Sequence, residues 1–360
     1  MIAPKKQKTR APDARRRLWK GLSFCKRGYT LDEKCFLFGT GMITLENVTR
    51  KFGSFTAVDN LSLHVPKGQV LGFLGPNGAG KTTTMRMISG FLTPTAGKIT
   101  VCGCDVAQNP VEVKRHIGYM PEVASSYNDM TVLAFLNFIA EARGLSGSAK
   151  EKAVEKVVAD ISLSNVLYQP IETLSKGYKR RVGLAQALVH DPDVLILDEP
   201  TEGLDPNQKR EIRTLIRRLQ KDKAIIISTH VLEEVEAMCS RAVIIDKGKI
   251  VLDDTPRALI SLSETHQTLF VLIPAYQQER ARTVFDEMTV LDIADVRQET
   301  GDAFMFTLKP KGRESVTADV VEALRRQDIK ILDLFIEKGR LEEVFYAFTS
   351  PDRELKDPHA

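Results

Sequence analysis

The sequence predicts a mixed α/β fold built on a parallel sheet, followed by a smaller α+β unit near the carboxyl end. Short apolar runs without alternation at 70–74, 194–197 and 224–227 are typical of strands that are buried on both faces. Helical patterns separate these runs along the chain, as a parallel sheet requires. After about residue 268, strand and helix patterns follow in the order βαββαβ, which indicates a ferredoxin-like layer.

A glycine-rich turn lies between the run at 70–74 and a helix pattern that begins near Lys81. Its spacing is that of a P-loop, in which backbone N–H groups and a helix N-terminus converge on phosphate. Glycines permit positive φ and let the backbone approach phosphate oxygens. Lys81 supplies charge to the β and γ phosphates, and Thr82 supplies a hydroxyl for Mg²⁺. The residues predicted to bind nucleotide here are Gly75, Pro76, Asn77, Gly78, Ala79, Gly80, Lys81, Thr82 and Thr83.

Two carboxylates follow the apolar run at 194–197. Because Asp198 comes directly after four apolar residues, we expect it at the carboxyl end of a parallel strand, where open α/β sheets bind their ligands. A carboxylate at that position can hold Mg²⁺, directly or through water. Glu199 can accept a proton from an attacking water, which is the role of a general base. Taken alone, the pair fits the ordinary start of a helix equally well.

Length and composition allow two globular domains. The chain has 360 residues, 43% of them hydrophobic, which suffices for two ordinary cores. No apolar run approaches the roughly 18 residues that a membrane span needs, so we expect a soluble protein whose membrane role comes through a partner. The cysteines fit neither a disulfide pattern nor a zinc pattern, and free thiols are expected. They are Cys25, Cys35, Cys102, Cys104 and Cys239.

Positive charge is concentrated in residues 1–41, which hold eleven Lys or Arg against three Asp or Glu, whereas residues 42–360 hold 40 against 44. This segment has no apolar stretch long enough for a signal peptide. The favoured interpretation is a disordered extension, or an upstream start with Met42 opening the first strand. A contact with anionic lipid, an organellar targeting segment and a nucleic-acid arm are the alternatives.

Four further segments accompany the P-loop: LSKG at 174–177, LDEPT at 197–201, GLDP at 203–206 and STH at 228–230. Together they resemble the motifs of the ATP-binding subunits of ABC transporters, in the order of that family, over residues 43–255. The resemblance implies a P-loop NTPase cassette with an antiparallel β subdomain and a helical insert.

The resemblance and the element pattern together imply the domain organisation. A cassette is expected to contain the P-loop and the other motifs, and a small α+β accessory domain to follow it. The expected ranges are 1–41 for the basic extension, 42–262 for the cassette, about 131–190 for its helical insert, 268–350 for the accessory domain and 351–360 for a tail.

The last predicted helix has one apolar stripe. Leu341, Val344, Phe345 and Phe348 stand at i, i+3, i+4 and i+7 and share one helix face. The favoured interpretation is that this stripe packs on the sheet of its own domain, and a partner surface is the alternative.

The resemblance also assigns roles to individual residues. Phe52 matches the aromatic that stacks on adenine, with an ordinary core phenylalanine as the alternative. Ser175 and Gly177 match the signature loop, whose helix N-terminus contacts the γ-phosphate bound by a second subunit. His230 is similar to the switch histidine that contacts the γ-phosphate and orients water. Asp205 resembles the aspartate that lines the dimer contact.

Two positions depart from the family pattern. Residues 176–178 are Lys-Gly-Tyr where Gly-Gly-Gln is usual, and Glu122 stands where Gln commonly reaches Mg²⁺ and the attacking water. Both variants resemble those of export-type cassettes that carry a small C-terminal domain. We hypothesise that Glu122 lies near the metal, beside Thr82 and Asp198, and couples the site to the membrane partner through residues 123–130.

The predicted function is that of a Mg²⁺-dependent ATPase that drives transport, with Lys81, Glu199 and His230 as catalytic residues. It is expected to pair with itself or a related chain and to dock on a separate membrane-spanning permease at the cytoplasmic face of the cell membrane. The resemblance implies export. The transported molecule is expected to touch only the permease, and no nucleic-acid partner is expected.

Two other functions compete with this prediction. A soluble ABC ATPase of translation or DNA repair is disfavoured, because the chain has one cassette and the interval from Gly75 to Ser175 is too short for a long coiled-coil insert. A regulatory protein that senses ATP without useful hydrolysis is the other alternative. It is disfavoured because the residues expected to carry hydrolysis are intact: Lys81, Asp198, Glu199 and His230.

Overall fold

The computed structural model describes residues 42–122, 127–299, 301–312 and 315–350. Its strands are β1 (Ile43–Phe52), β2 (Phe55–Val65), β3 (Val70–Leu74), β4 (Ala96–Val101), β5 (Cys104–Asp105), β6 (Ile117–Met120), β7 (Val194–Asp198), β8 (Ala224–Ser228), β9 (Arg241–Asp246), β10 (Lys249–Asp254), β11 (Leu269–Pro274), β12 (Leu291–Glu299), β13 (Ala303–Pro310) and β14 (Asp333–Ile336). The expected N-terminal extension and the C-terminal tail lie outside the described residues.

The α-helices of the described ranges alternate with these strands through most of the chain. They are α1 (Lys81–Ile88), α2 (Pro110–His116), α3 (Val132–Ala142), α4 (Gly147–Asp160), α5 (Lys176–Leu188), α6 (Pro206–Leu219), α7 (Leu232–Met238), α8 (Pro256–Ile260), α9 (Gln278–Glu287), α10 (Thr317–Arg326) and α11 (Leu341–Thr349). Short 3₁₀ helices lie at Ser164–Val166, Ile171–Thr173 and Ala275–Gln277.

The central sheet has six strands in the order β10-β9-β3-β8-β7-β6. All neighbours in it run parallel except β10, which pairs antiparallel with β9 at the edge. β3, β7 and β8 are buried along their whole length, which explains their apolar runs without alternation. The predicted parallel α/β sheet is therefore confirmed. It brings the carboxyl ends of β3, β8, β7 and β6 to one edge, where such sheets bind ligands.

A second sheet, in the order β2-β1-β4-β5, is antiparallel throughout. Its apolar residues share one core with β3 and α1; among them are Ile43, Leu63, Phe73, Met85 and Ile99. This core fixes the antiparallel sheet against one face of the central sheet, as expected for an antiparallel β subdomain.

The opposite face of the central sheet is covered by a larger core that includes α3, α4 and α5. Thr131 caps α3 by accepting a hydrogen bond from the backbone N of Ala134 at 3.2 Å. These three helices lie within the range predicted for the helical insert. Within the described ranges, no helix is both long enough and apolar enough to pass through a bilayer.

The third sheet has the order β12-β13-β11-β14, with every pair antiparallel. Together with α9 and α10, its strands give the predicted βαββαβ order. The two helices close one core with the sheet, in which the rings of Phe285 and Phe306 meet edge to face at 5.1 Å. The exact domain bounds, 42–262 and 268–350, stay predictions.

The last helix, α11, does not pack on this third sheet. Leu341 and Val344 are fully buried in the large core of the central sheet, and Phe345 and Phe348 pack against the same core. The helix contacts α7 and α8. The expectation that its apolar stripe covers its own sheet is therefore wrong. The physical reason is that α9 and α10 already fill the apolar face of that sheet.

Leu341→Ala is expected to destabilise the protein by about 2–5 kcal/mol, because it leaves a cavity between α11 and the large core. Tyr346→Ala on the same helix is the matched control, since Tyr346 is 68% exposed and its loss is expected to change stability by about 0.5 kcal/mol or less. Urea unfolding of both variants measures the difference. Equal losses would show that the stripe is not buried in solution.

The cysteines of the described ranges are not joined in disulfides. Cys102 and Cys104 are half-buried, and Cys239 is buried. Burial, reinforced by the nearby charge of Glu234, raises the pKa of Cys239 to about 12 and makes that thiol a poor nucleophile. Cys25 and Cys35 lie outside the described residues.

Candidate functional site

The glycine-rich loop leaves the carboxyl end of β3 and enters the N-terminus of α1, as predicted. Gly78 and Gly80 take positive φ values of 81° and 105°, which only glycine adopts without strain. Asn77 and Gly78 are exposed at the tip, whereas Ala79 is buried beneath it. The tip of the loop is therefore open to a ligand while its base is anchored in the core.

Two glycines of the loop have no room for a side chain. A Cβ on Gly75 would lie 2.4 Å from the carbonyl oxygen of Ile245 in β9, and a Cβ on Gly80 would lie 2.5 Å from that of Ala57 in β2. The loop is thus wedged between the central sheet and the antiparallel sheet. This tight packing fixes the loop backbone from behind, and backbone N–H groups at such a turn before a helix N-terminus can bind an anion.

Lys81, the first residue of α1, is held by its own loop. Its Nζ donates to the carbonyl oxygens of Gly75 at 2.6 Å and Pro76 at 3.0 Å. An ammonium group has three N–H donors, so one remains for a phosphate oxygen. Thr82, the next residue, is exposed and Thr83 is half-buried. The lysine and the hydroxyl are therefore positioned beside the same loop.

Carboxylates gather at the carboxyl edge of the central sheet. Glu122 follows β6, Asp198 ends β7, and Glu199 comes next in the chain. Burial lowers the pKa of Lys81, and the charges of Glu199, Asp198 and Glu122 act in the opposite direction. All three predicted acidic residues and the P-loop lysine therefore share one electrostatic site.

Asp198 is only 4% exposed. Burial raises its pKa; a hydrogen bond from Ser228 and the charge of Lys81 lower it, and the charges of Glu122 and Glu199 raise it further. The net upward shift means that this buried group lacks enough positive charge around it. Carboxylate and hydroxyl oxygens are the ligands that Mg²⁺ prefers, and so the donor set of Asp198 with Thr82 and Glu122 fits that ion.

Glu199 is held by the loop that follows β8. Its Oε1 accepts a hydrogen bond from the backbone N of His230 at 2.9 Å and lies 2.8 Å from His230 Nδ1. Its Oε2 accepts from the hydroxyl of Thr229 at 3.1 Å. The backbone N of Glu199 donates to the carbonyl oxygen of Ser228 at 2.9 Å. The predicted base and the predicted switch histidine thus form one hydrogen-bonded pair.

The backbone of Glu199 has a φ of 51°, in the left-handed region that a side chain normally avoids. Strain of this kind persists only where the surrounding contacts impose it, and it is concentrated at functional sites. The Glu199 side chain is almost fully buried, whereas the His230 side chain is 67% exposed. The histidine therefore forms the outward part of the pair.

Sequence reasoning missed Arg180. Its guanidinium is buried, donates to the backbone oxygen of Glu122, and donates to Glu202 Oε2 at 3.2 Å. Burial lowers the pKa of Arg180, and the charges of Glu202, Glu199, Asp198 and Glu122 oppose that shift. The signal in the sequence was the pair Arg180-Arg181 directly before the mostly apolar run at 182–189. Arg180 ties α5 to the segment after β6 and to the loop after β7.

The signature residues lie at the N-terminus of α5. Ser175 caps this helix by accepting from the backbone N of Tyr178 at 3.4 Å. Asp205 caps α6, where its side chain accepts from the backbone N of Gln208 at 2.9 Å in a capping box. A Cβ on Gly177 would lie 2.6 Å from the side-chain oxygen of Gln208. The signature loop and the start of α6 are therefore packed together.

Phe52 ends β1 and is 46% exposed. The guanidinium carbon of Arg50 lies 4.6 Å from the centre of its ring. The alternative of an ordinary core phenylalanine is therefore wrong. A role in stacking on adenine stays a prediction.

Helix α7 begins two residues after His230 and is anchored by a buried carboxylate. Glu234 is 1% exposed; its two oxygens accept from Nε and Nη2 of Arg213 at 2.8 and 2.7 Å, and Lys209 Nζ lies 3.4 Å away. Burial raises the pKa of Glu234, but Arg213 and Lys209 outweigh it, so the net pKa is lowered.

Arg213→Ala is expected to destabilise the protein by about 2–3 kcal/mol near pH 7, because it removes the main partner of a buried charge while Lys209 remains. Because the pKa of Glu234 is lowered in the folded protein, its ionised carboxylate stabilises the wild type at pH values above the unfolded pKa of about 4.3. This stabilisation is lost as the pH falls through the folded-state pKa. The difference between the proteins should therefore shrink in acid. Unfolding across pH measures it, with the exposed Arg210→Ala as control; a pH-independent difference would contradict the ion pair.

A P-loop, a buried aspartate at a strand end and a glutamate paired with a histidine, all at the ends of neighbouring parallel strands, are typical of P-loop ATPases. The family profile described as ABC transporter matches residues 58–202. The uncharacterized ABC transporter ATP-binding protein YhcH of Bacillus subtilis is 36% identical over 315 residues, covering 87% of this chain and 97% of that protein. The chain therefore belongs to the ABC transporter ATP-binding proteins.

Two further similarities agree. The linearmycin resistance ATP-binding protein LnrL of Bacillus subtilis is 32% identical over 329 residues, covering 88% of this chain and 100% of that protein. A solved structure described as an ATP binding subunit of an ABC transporter superposes with a TM-score of 0.57 at 27% identity, over 61% of this chain and 91% of that one. The predicted ATP-binding, ATP-hydrolysing transporter subunit is confirmed, and the soluble translation or repair type is wrong.

Proposed function

We propose that this protein hydrolyses ATP in the presence of Mg²⁺ to power export through a separate membrane-spanning permease, at the cytoplasmic face of the cell membrane. The observation that carries the proposal is the pairing of Glu199 with His230 beside Asp198 and Lys81. The similarity to a resistance protein over nearly the whole chain supports export as the direction.

Binding begins with the phosphates of ATP. The N–H groups of the loop and the free N–H of Lys81 bind them, and the partly exposed ring of Phe52 stacks on the adenine. Thr82 and Asp198 would hold Mg²⁺, with Glu122 close by, and the ion would neutralise charge on the β and γ phosphates. The three acidic residues repel ATP on their own, which is why Lys81 is needed in their midst.

The hydrolytic step falls to Glu199. Its carboxylate accepts a proton from the water whose oxygen attacks the γ-phosphorus, and the bond from that phosphorus to the bridging oxygen of ADP breaks. His230 and Thr229 keep both carboxylate oxygens in place. The exposed imidazole of His230 is then free to contact the γ-phosphate and the attacking water.

A second cassette completes the site. In its own chain Gly177 lies against Gln208 near the start of α6, which Asp205 caps. Ser175 caps α5, whose N-terminus offers N–H donors. We propose that a second copy, or a related chain, supplies these residues to the γ-phosphate across two sandwiched ATP molecules. ATP then closes the pair and hydrolysis reopens it.

Purification from native membranes in detergent, followed by reconstitution, tests this function. We expect a membrane-spanning permease to co-purify, and ATP hydrolysis to require Mg²⁺ and to rise with the permease present. In vesicles that expose the cassette outward, export predicts ATP-driven accumulation of the substrate inside. ATP binding without Mg²⁺-dependent hydrolysis would favour the ATP-sensing alternative, and transport out of such vesicles would overturn the proposed direction.

A further inference from the structure

A cluster of three unlike donors lies at the opposite edge of the central sheet. Cys102 stands in the two-residue turn between β4 and β5, His116 ends α2, and Asp193 directly precedes β7. One sulfur, one imidazole nitrogen and one carboxylate oxygen from these residues all lie within 4.8 Å of one another. Cys102 and His116 are 14 positions apart in the chain, and His116 and Asp193 are 77 apart. The fold thus brings three distant segments to one point.

The surroundings of the cluster suit a bound ion. His116 Nδ1 lies 2.7 Å from Asp193 Oδ2, and His116 Nε2 lies 3.7 Å from Glu112 Oε1 one turn earlier on α2. Cys102 packs against the core beneath the antiparallel sheet, whereas the Asp193 side chain is 51% exposed. The site is therefore sheltered on one side and open to solvent on the other.

The donor set selects the kind of ion. A thiolate, an imidazole and a carboxylate are the three ligand types that Zn²⁺ binds, at about 2.0–2.3 Å, usually in a tetrahedral arrangement. In such a tetrahedron the donors stand roughly 3.3–3.8 Å apart, so small side-chain rotations would bring these groups into range. Mg²⁺ prefers an all-oxygen shell and does not suit a sulfur donor.

Charge complementarity points the same way. A bound divalent cation would displace the proton of the Cys102 thiol, and the resulting thiolate and the Asp193 carboxylate would together balance its two positive charges. Three protein ligands leave a fourth position for water or for the Glu112 carboxylate, which already faces the ring.

We propose that Cys102, His116 and Asp193 form a Zn²⁺ site that is separate from the nucleotide site. Asp193 directly precedes β7 and Asp198 ends it, so the two residues lie about 16 Å apart at the usual rise per residue. A bound ion would tie the β4–β5 turn and α2 to the start of the strand that carries Asp198. No zinc pattern could be recognised from the sequence alone, because the ligands come from three distant segments and Cys102-Gly103-Cys104 lacks a second pair.

Zinc binding to the full-length protein tests this site, measured by competition with a chelating indicator dye. We expect Cys102→Ser, His116→Ala and Asp193→Asn each to raise the dissociation constant for Zn²⁺ by about tenfold or more. Cys104→Ser is the matched control, because Cys104 lies on the same hairpin but outside the cluster, and it should bind as the wild type does. Unchanged binding in all three variants, or equal loss in Cys104→Ser, would overturn the assignment.

Cobalt supplies a second readout that does not depend on activity. Co²⁺ bound through a thiolate shows a sulfur-to-metal charge-transfer band, which we expect in the wild type and not in Cys102→Ser. Zn²⁺ should also raise the melting temperature of the wild type but not of Cys102→Ser. Cys102→Ser should still bind ATP, which shows that it is folded; a Zn²⁺-induced shift that survives in this folded variant would contradict the site.

Discussion

Glu199→Gln is expected to lower the rate of Mg²⁺-dependent ATP hydrolysis by about 10²-fold or more, the usual contribution of a general base. The amide keeps the size of the side chain: its oxygen can still accept from the backbone N of His230, and its NH₂ group can donate to the Thr229 hydroxyl, so the loop after β8 should stay in place. What it loses is the ability to take a proton from water. The expected change is thus in turnover, and ATP affinity should fall little.

The same substitution should trap the closed pair of cassettes. Because ATP still binds but is not cleaved, Glu199→Gln should migrate as a dimer in ATP by size-exclusion chromatography and as a monomer in ADP. Glu202→Gln is the matched control, since Glu202 lies three residues later and is half-exposed beside Arg180. If Glu199→Gln hydrolysed ATP at the wild-type rate, Glu199 would not be the base, and an equal loss in Glu202→Gln would indicate a general charge effect.

The site residues that could be predicted from sequence are those that directly follow a recognisable strand in the chain. The glycines of the loop, Lys81 and the carboxylate after β7 each stand next to the strand that positions them, so reading a strand end correctly places the residue. Because the carboxyl ends of parallel strands lie at the same edge of a sheet, these residues are predicted to lie near one another. This is why the P-loop and the Asp198-Glu199 pair were found together.

Features that depend on packing between distant segments were missed. Arg180 binds Glu122 and Glu202, which lie 58 and 22 residues away, and no spacing rule connects them. The periodicity of α11 predicts that one of its faces is buried, but it does not show which other element that face packs against. That partner turned out to be α7 and α8, because the nearer sheet was already covered.

Lys81→Ala is expected to lower the rate of ATP hydrolysis by about 10²–10³-fold. The reason differs from that for Glu199→Gln, because this substitution removes a charge that stabilises the transition state. It should also weaken ATP binding, because Glu199, Asp198 and Glu122 would then face the phosphates without their cation. Stopped-flow binding of a fluorescent ATP analogue and a phosphate-release assay separate the two effects. Together they distinguish Lys81→Ala from Glu199→Gln, which should lose only turnover.

Lys81→Arg separates charge from geometry. The ammonium of Lys81 fits between the carbonyl oxygens of Gly75 and Pro76, and a planar guanidinium cannot reproduce those contacts in a loop wedged between two sheets. We therefore expect Lys81→Arg to lose nearly as much turnover as Lys81→Ala while recovering part of the ATP affinity. Lys67→Ala, at an exposed lysine 3.9 Å from Asp222, should leave both unchanged. Wild-type turnover in Lys81→Arg would show that charge alone suffices.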